Sequence, residues 1–220
     1  MDWQQADRLN KKMIRLYDYL PSGNGYKVRL LLTQLQVPFE RIELDIIKGL
    51  TRTPAFLGKF PNGRIPAVEF DDGRRLFESN AILWYFAETT SLVPSDPFER
   101  ARVLQWMFFE QYSHEPYIAV ARFFALHPDH TDERRGGLPR IIRGGYDALG
   151  VMESHLSGRG EGDRSREFFV GDQYTVADIA LYAYTHVAHE GGFDLANYPA
   201  IRQWLARVKS QPRHIPITHG

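Results

Sequence analysis

Residues 61–82 read PNGRIPAVEFDDGRRLFESNAI, and this stretch decides the predicted fold. The dipeptides Asn62-Gly63 and Asp72-Gly73 are typical of tight turns. Residues 67–70 form a short strand candidate between these turns, and residues 75–77 form another after the second turn. The second turn should therefore fold the two segments into a β-hairpin.

A helix is predicted directly after this hairpin. Ser79 precedes the apolar run 80–88, so we expect Ser79 to be the N-cap of the helix. A hydroxyl beside the unpaired N–H groups of a helix start is a ready site for an anion. Upstream, the Ile65-Pro66 bond can be cis or trans, and the residues leave both isomers open. In the cis form, the Ile65 backbone would turn outward and pair with an extended ligand.

The composition excludes several kinds of chemistry. The 220 residues include 27 basic and 27 acidic side chains and no cysteine. Disulfides, thiolate metal sites and a protein thiol nucleophile are therefore excluded. The balanced charge favours neither nucleic acid nor an anionic membrane as a partner. The polar start and the lack of a membrane-length apolar run lead us to expect a cytoplasmic protein.

The first part of the chain has the pattern of a small α+β domain, which we place at residues 13–90. Residues 14–19 and 39–44 are strand candidates, and an amphipathic helix is predicted between them at 26–35. This is the pattern of a parallel βαβ unit, and the hairpin and its helix follow it. The order βαβ-α-ββα predicts a mixed sheet with helices packed on it. Residues 1–12 are predicted to be a polar extension.

The second part, residues 97–220, is predicted to be all-helical. It follows a proline-containing linker. Helices are predicted over residues 99–126, 138–156, 176–188 and 200–209. Thr175 and Asp178 form a variant of the capping box at the start of the third of these helices.

Three motifs together resemble the cytosolic glutathione S-transferase family from about residue 13 onward. They are NGRIPAV at 62–68, ESNAI at 78–82 and YTVADIA at 174–180. Each motif alone is weak, and their order and spacing carry the resemblance. It implies a thioredoxin-like α+β domain at residues 13–90, then an all-α bundle at 97–220, usually as a homodimer.

The segment SGNGYK at residues 22–27 resembles the bacterial Nu class of this family, which has Thr-Pro-Asn-Gly or a close variant there. Ser22 stands for the threonine and Gly23 for the proline, so the hydroxyl is kept and the loop is freer. The class implies glutathione-dependent disulfide-bond reduction, with peroxidase and weak conjugating activity. Glutathione would be the substrate, and no metal is implied.

The resemblance implies that Ser22 and Asn24 are the catalytic residues. A free thiol with a pKa of about 8.5 is mostly protonated at neutral pH, and the thiolate is the nucleophile. Lowering that pKa by about two units takes roughly 2.7 kcal/mol, which one hydroxyl donor and a helix N-terminus can supply. The alternative is that both residues only cap the helix and fill the turn.

The remaining glutathione contacts follow from the same resemblance. Glu78 would bind the γ-glutamyl ammonium, and Ser79 its carboxylate. The Ile65 backbone before Pro66 would pair with the cysteinyl amide. The basic side chains Lys59 and Arg64 are candidates for the glycyl carboxylate, with ordinary solvated charges as the alternative.

The second substrate would bind against the helical domain. Phe109, Tyr112 and Tyr117 are our candidates, because their segment has more aromatic residues than one buried face needs. His114 beside Glu115 raises the question of a catalytic or metal site. Adjacent residues point to different helix faces, so we favour a polar contact at a helix kink before Pro116.

Three functions stay open at this point. The first is a glutathione-dependent disulfide reductase or peroxidase with transferase activity. The second is an enzyme that mainly conjugates glutathione to an electrophile. The third is a non-catalytic glutathione-binding or regulatory protein that keeps the fold.

Overall fold

The computed structural model describes residues 13–129, 136–159 and 165–220. The predicted extension, residues 1–12, lies outside the described residues. The chain divides into two compact units. The first contains the chain up to Ser91 together with Pro212–Gly220, and the second is Leu92–Gln211.

The first unit has the predicted α+β architecture. Its strands are β1 (Ile14–Asp18), β2 (Phe39–Glu43), β3 (Ala67–Glu69) and β4 (Arg75–Phe77). Its helices within the described residues are α1 (Gly23–Gln34), α2 (Pro54–Leu57) and α3 (Ser79–Ala87). The predicted mixed sheet with packed helices is confirmed, and α1 begins three residues earlier than the apolar pattern indicated.

The four strands form one sheet in the order β2-β1-β3-β4. Strand β1 pairs in parallel with β2, as the βαβ pattern predicted. It pairs antiparallel with β3, and β3 pairs antiparallel with β4, which confirms the hairpin. Because β1 and β3 are antiparallel neighbours, the loop after β1 and the loop before β3 lie at the same edge of the sheet.

Both faces of this sheet are covered. Leu16 pairs with Val68 in the sheet, and both side chains are fully buried. Tyr17 points to the other face, because side chains alternate along a strand. There its ring makes edge contacts with Phe56 and Phe60, with centroids 5.8 and 5.4 Å away. Both faces of β1 are therefore packed against buried side chains.

The prediction that Ser79 caps α3 is wrong. The N-cap residue is Glu78, whose φ of 70° and ψ of 112° turn the chain from β4 straight into the helix. Ser79 is therefore the first helical residue. Its hydroxyl is not used for capping, and its N–H group lies at the open end of the helix.

The second unit is helical within its described residues. Its helices are α4 (Pro97–Phe109), α5 (Glu115–Leu126), α6 (Leu138–Leu156), α7 (Val176–Thr185) and α8 (Pro199–Lys209). Helix α7 is buried along its whole length and forms the centre of this unit. The all-helical prediction for this part of the chain is confirmed.

The predicted long helix over residues 99–126 is interrupted. A π-helical turn, Glu110–His114, separates α4 from α5. The cause is Pro116, which lacks an N–H group and whose ring would clash with the preceding turn of an α-helix. His114 Nε2 lies 2.9 Å from Thr185 Oγ1, which itself donates to the Leu181 carbonyl oxygen, so His114 is the donor. The predicted polar contact at this kink is confirmed.

The capping box at the start of α7 is also confirmed. The buried Asp178 carboxylate accepts hydrogen bonds from the Thr175 N–H and hydroxyl groups, the Phe169 N–H group and Trp204 Nε1. Burial raises the pKa of Asp178 to about 6, against the effect of these donors. One side chain therefore ties the start of α7 to two other segments of its unit.

The domain prediction needs one correction at the C-terminal end. We assigned residues 97–220 to the helical domain, but Pro212–Gly220 belong to the first unit. Tyr26 donates its hydroxyl to the Ile215 carbonyl oxygen at 2.7 Å, and Arg29 donates to the Ile217 carbonyl oxygen at 2.9 Å. These side chains of α1 hold a segment without regular structure, which hydrophobic periodicity does not detect.

Gly25 permits the packing of α1 on the end of β1. A Cβ atom at Gly25 would lie 1.6 Å from Oδ1 of Asp18. Asp18 is fully buried and its Oδ2 lies 2.8 Å from Nε of Arg29, so the carboxylate cannot move aside. The first turn of α1 can approach β1 only without a side chain at this position.

We expect Gly25→Ala to lower the free energy of unfolding by about 3 kcal/mol, because the methyl group overpacks a site that cannot relax. Gly150→Ala in α6 is the control, since a Cβ there meets nothing within 4 Å. The control should be neutral or stabilising by up to about 1 kcal/mol. Urea unfolding measures both variants, and equal stability of the two would contradict the proposed clash.

Candidate functional site

Ser22 caps α1 and keeps a donor. Its Oγ accepts the Gly25 N–H group at 3.2 Å, with the extended backbone of an N-cap residue. The capping alternative is therefore realised in the structure. Capping uses a lone pair of the hydroxyl oxygen, so the O–H proton can still be donated to a ligand. The two roles that the sequence left as alternatives are chemically compatible.

Asn24 and Ser79 link the starts of α1 and α3. The Ser79 hydroxyl lies 3.3 Å from Oδ1 of Asn24 and donates to it. Each helix carries a partial positive charge at its start, because the first N–H groups have no partner within the helix backbone. The structure thus brings together two residues, 55 positions apart, that the sequence predicted for different parts of one ligand.

Glu78 has a strained backbone at this place. Its φ of 70° lies in the left-handed region, which a residue with a side chain adopts at a cost of about 1–3 kcal/mol. Its Oε1 accepts a hydrogen bond from the Asn62 side-chain amide at 3.2 Å. Such strain is commonly found where a ligand is held. Asn62 was predicted only as a turn residue, so its side-chain role was missed.

The loop before β3 contains the predicted backbone-pairing residue. The Ile65-Pro66 bond is cis. Pro66 is buried, Ile65 is half-buried and Arg64 is exposed. Ile65 also packs against the aromatic cluster of Tyr17, Phe56 and Phe60.

Lys59 is paired with a carboxylate of the protein itself. Its Nζ donates to Oε2 of Glu69 at 2.8 Å and lies 2.9 Å from the Tyr17 hydroxyl oxygen. Tyr17 donates to the same Glu69 oxygen at 2.7 Å. A role for Lys59 in binding a carboxylate of the ligand would have to compete with Glu69. Arg64 is therefore the better candidate of the two.

Three basic side chains surround the buried carboxylate of Glu69. Besides Lys59, it pairs with Arg75 on β4 at 3.2 Å and with Arg15 on β1 at 3.2 Å. The hydrogen bonds from Lys59 and Tyr17 lower the pKa of Glu69 to about 2. The cluster therefore ties together the three neighbouring strands β1, β3 and β4.

Lys27 was not predicted, although it lies in the segment that carries the subtype resemblance. It is fully buried, and its Nζ lies 3.3 Å from Ser79 Oγ and 3.5 Å from Asn80 Oδ1. Its position four residues before Leu31 puts it on the buried face of α1. That spacing was the available signal for a buried lysine.

The three candidates for the second substrate lie in the second unit. Tyr112 in the π-helical turn is 85% exposed. Phe109 makes an edge contact with Trp106, with centroids 5.2 Å apart. Tyr117 is half-buried, with its ring packed on Gly144 of α6. Their role stays a prediction.

The described residues form neither a metal-binding group nor a helix that could span a membrane. Across residues 13–129, 136–159 and 165–220, no three His, Asp or Glu side chains are grouped so that they could hold a metal ion. Within the same ranges, no helix has the length and apolar character that crossing a membrane requires.

Both parts of the chain match models of one protein family. Residues 12–88 match the glutathione S-transferase N-terminal domain, and residues 135–207 match the glutathione S-transferase C-terminal domain. A curated relative is the disulfide-bond oxidoreductase YfcG of Escherichia coli strain K12. It is 33% identical over 207 residues, which are 91% of this chain and 92% of the relative.

Solved structures show the same similarity. The crystal structure of a glutathione S-transferase from Pseudomonas fluorescens Pf-5 is 51% identical, with a TM-score of 0.87 over 94% of this chain and 99% of that one. The glutathione transferase URE2P6 of Phanerochaete chrysosporium, solved with oxidized glutathione, is 28% identical. Its TM-score is 0.79 over 92% of this chain and 93% of that one.

Glu69 should make stability depend on pH in the acid range. Its pKa is lowered from 4.5 to about 2 in the folded state. The unfolded state therefore binds more protons between these values, and stability is lost as the pH falls from about 4.5 towards 2. We expect Glu69→Gln to remove about 3 kcal/mol at neutral pH and to flatten this dependence.

Urea unfolding of the wild type and the variant over a series of pH values measures this effect. Glu40→Gln is the matched control, because Glu40 is an exposed carboxylate on β2. A Glu69→Gln curve that runs parallel to the wild-type curve between pH 4.5 and 2 would contradict the assignment.

Proposed function

The chain belongs to the glutathione S-transferase family, and from that premise we propose that it uses glutathione thiolate to reduce disulfides and peroxides. Conjugation of glutathione to electrophiles is proposed as a secondary activity. The observation that carries the proposal is the 3.3 Å contact between Ser79 and Asn24, which joins the starts of α1 and α3. A site with two adjoining helix starts suits a ligand with a carboxylate and a thiolate.

In the proposed complex, glutathione lies across these two helix starts. The Ser22 hydroxyl and Asn24 would donate to the thiolate at the start of α1. The Ser79 N–H group would hold the γ-glutamyl carboxylate, because the Ser79 hydroxyl proton is donated to Asn24, and Glu78 would hold the ammonium group. The Ile65 backbone would pair with the cysteinyl amide, and Arg64 would reach the glycyl carboxylate.

The proposed reaction needs no protein sulfur, in agreement with a chain that has no cysteine. The bound thiolate attacks one sulfur of a substrate disulfide, forms a mixed disulfide and expels the other sulfur as a thiolate. A second glutathione thiolate then attacks the glutathione sulfur of the mixed disulfide. One disulfide is reduced by two electrons, two glutathione molecules become glutathione disulfide, and the expelled thiolates take up the two glutathione protons.

Disulfide reduction is ranked first because the 33% identical relative YfcG is a disulfide-bond oxidoreductase. The segment at residues 22–27 also resembles the bacterial Nu class, which implies disulfide-bond reduction. The aromatic residues Phe109, Tyr112 and Tyr117 are proposed to contact the second substrate. We also propose that the protein works in the cytoplasm as a homodimer.

A direct comparison of two rates tests the ranking. One assay follows glutathione-dependent reduction of hydroxyethyl disulfide, and the other follows conjugation to a chlorodinitrobenzene. We expect the disulfide rate to dominate. A dominant chloroaromatic rate would make conjugation the main activity. Binding without turnover in either assay would favour a regulatory protein, and no binding at millimolar glutathione would refute the proposed site.

Ser22→Ala should lower kcat at least about tenfold, because one charge-assisted donor to the thiolate is lost. It also removes a helix cap, which costs about 1 kcal/mol of stability. Ser22→Gly separates the two effects, since glycine caps a helix almost as well as serine but has no hydroxyl. Ser22→Thr keeps both functions and should stay active. Full activity of the glycine variant would transfer the donor role to Asn24.

Glu78→Gln should raise the Kd for glutathione at least about tenfold, because the ligand ammonium loses its charged partner. The amide of glutamine keeps an acceptor for Asn62. Titration calorimetry should show no such loss for glutaryl-cysteinylglycine, which lacks only the amine. Equal losses for both ligands would mean that Glu78 does not contact the ammonium group.

A further inference from the structure

A fully buried lysine lies directly behind the proposed glutathione site. Lys27 is on α1, one turn after Asn24, and its side chain has no exposed surface. Its Nζ donates to Ser79 Oγ at 3.3 Å, and the Ser79 hydroxyl donates to Asn24 Oδ1 at 3.3 Å. We call this chain of contacts the Lys27 relay.

The direction of the Lys27 relay is fixed by its first member. An ammonium group has three donors and no acceptor, so Ser79 can only accept from Lys27. The single hydroxyl proton of Ser79 is then directed to the other neighbour, which must present an acceptor. Asn24 can do this only with its carbonyl oxygen. Its NH₂ group is consequently not the end that faces Ser79.

The orientation of the Asn24 amide matters for a thiolate. A thiolate is stabilised by donors and repelled by the negative end of a carbonyl dipole. An amide carries both groups on one carbon, so a rotation of the side chain by half a turn exchanges them. An asparagine side chain does not by itself favour either orientation. Lys27, which can only donate, favours one orientation by its contact with Ser79.

We propose that Lys27 is a positioning residue, which acts through Ser79 to turn the Asn24 NH₂ group toward the glutathione sulfur. The proposal rests on the proposed function and adds the residue that determines which end of the Asn24 amide faces the sulfur. Lys27 does not touch the sulfur. Its contribution is the fixed orientation of a donor, which lowers the pH at which the bound thiol ionises.

The test is the pH titration of the thiol of bound glutathione, followed by the ultraviolet absorbance of the thiolate. Lys27→Met removes the donor and keeps the side-chain volume. Lys27→Gln keeps a polar group that can both donate and accept, so it no longer fixes the direction. Both variants should raise the ionisation midpoint by about one pH unit, the effect of one hydrogen bond to a charged group.

Two controls separate positioning from other effects. Lys48→Met removes an exposed lysine of the same unit and should leave the midpoint unchanged. In an Asn24→Ala background, Lys27→Met should cause no further shift, because the relay then ends before the thiol. A further shift of the full size would mean that Lys27 acts on the thiolate by its charge alone, which overturns the proposal.

Stability provides a check on the folded state of the variants. Each variant should unfold in one cooperative urea transition, as the wild type does, which shows that it is folded. If the wild type ionises bound glutathione at low pH and both Lys27 variants do the same, the proposal is wrong and the proposed function stands. If the wild type does not bind glutathione, both are wrong.

Discussion

The position of the Ser22 loop depends on a buried ion pair. Arg29 Nε lies 2.8 Å from Asp18 Oδ2, and both side chains are almost completely excluded from solvent. Arg29 also donates to the carbonyl oxygens of Leu20 and Ile217. Burial raises the pKa of Asp18, and the Arg29 charge opposes this. One guanidinium group therefore holds the end of β1, the loop that follows it and the C-terminal segment together.

The ion pair also limits which residues can occupy the start of α1. The first turn of α1 lies against the Asp18 carboxylate, so residue 25 must be glycine, and Ser22 is placed at the N-cap of α1. At the other helix start, the left-handed backbone of Glu78 leaves the Ser79 hydroxyl free of capping and able to contact Asn24. The candidate site therefore depends on two unusual local arrangements, a buried charge pair and a strained residue.

Sequence patterns predicted what is local. The Ser22 and Thr175–Asp178 caps are contacts within four residues, and the hairpin follows from its turn dipeptide. The predictions failed where contacts between residues far apart in the sequence determine the structure. Glu78, and not Ser79, is the N-cap residue, and its side chain is held by Asn62 from another loop. The C-terminal segment has no periodicity, and contacts with Arg29 and Tyr26 hold it to α1. The residue that Lys27 contacts in the relay, Ser79, is 52 positions away in the sequence.

The size of the required effect explains why the proposed site needs more than Ser22. Lowering the pKa of a thiol by about two units takes roughly 2.7 kcal/mol of differential stabilisation. A hydrogen bond to a charged group contributes about 1.5–3 kcal/mol, and moving the thiolate out of water reduces this. One hydroxyl donor therefore supplies only the lower end of the required free energy, particularly beside Gly23, which stands where the Nu class has proline. A second donor of fixed orientation makes up the difference, and a buried lysine can fix that orientation without approaching the sulfur.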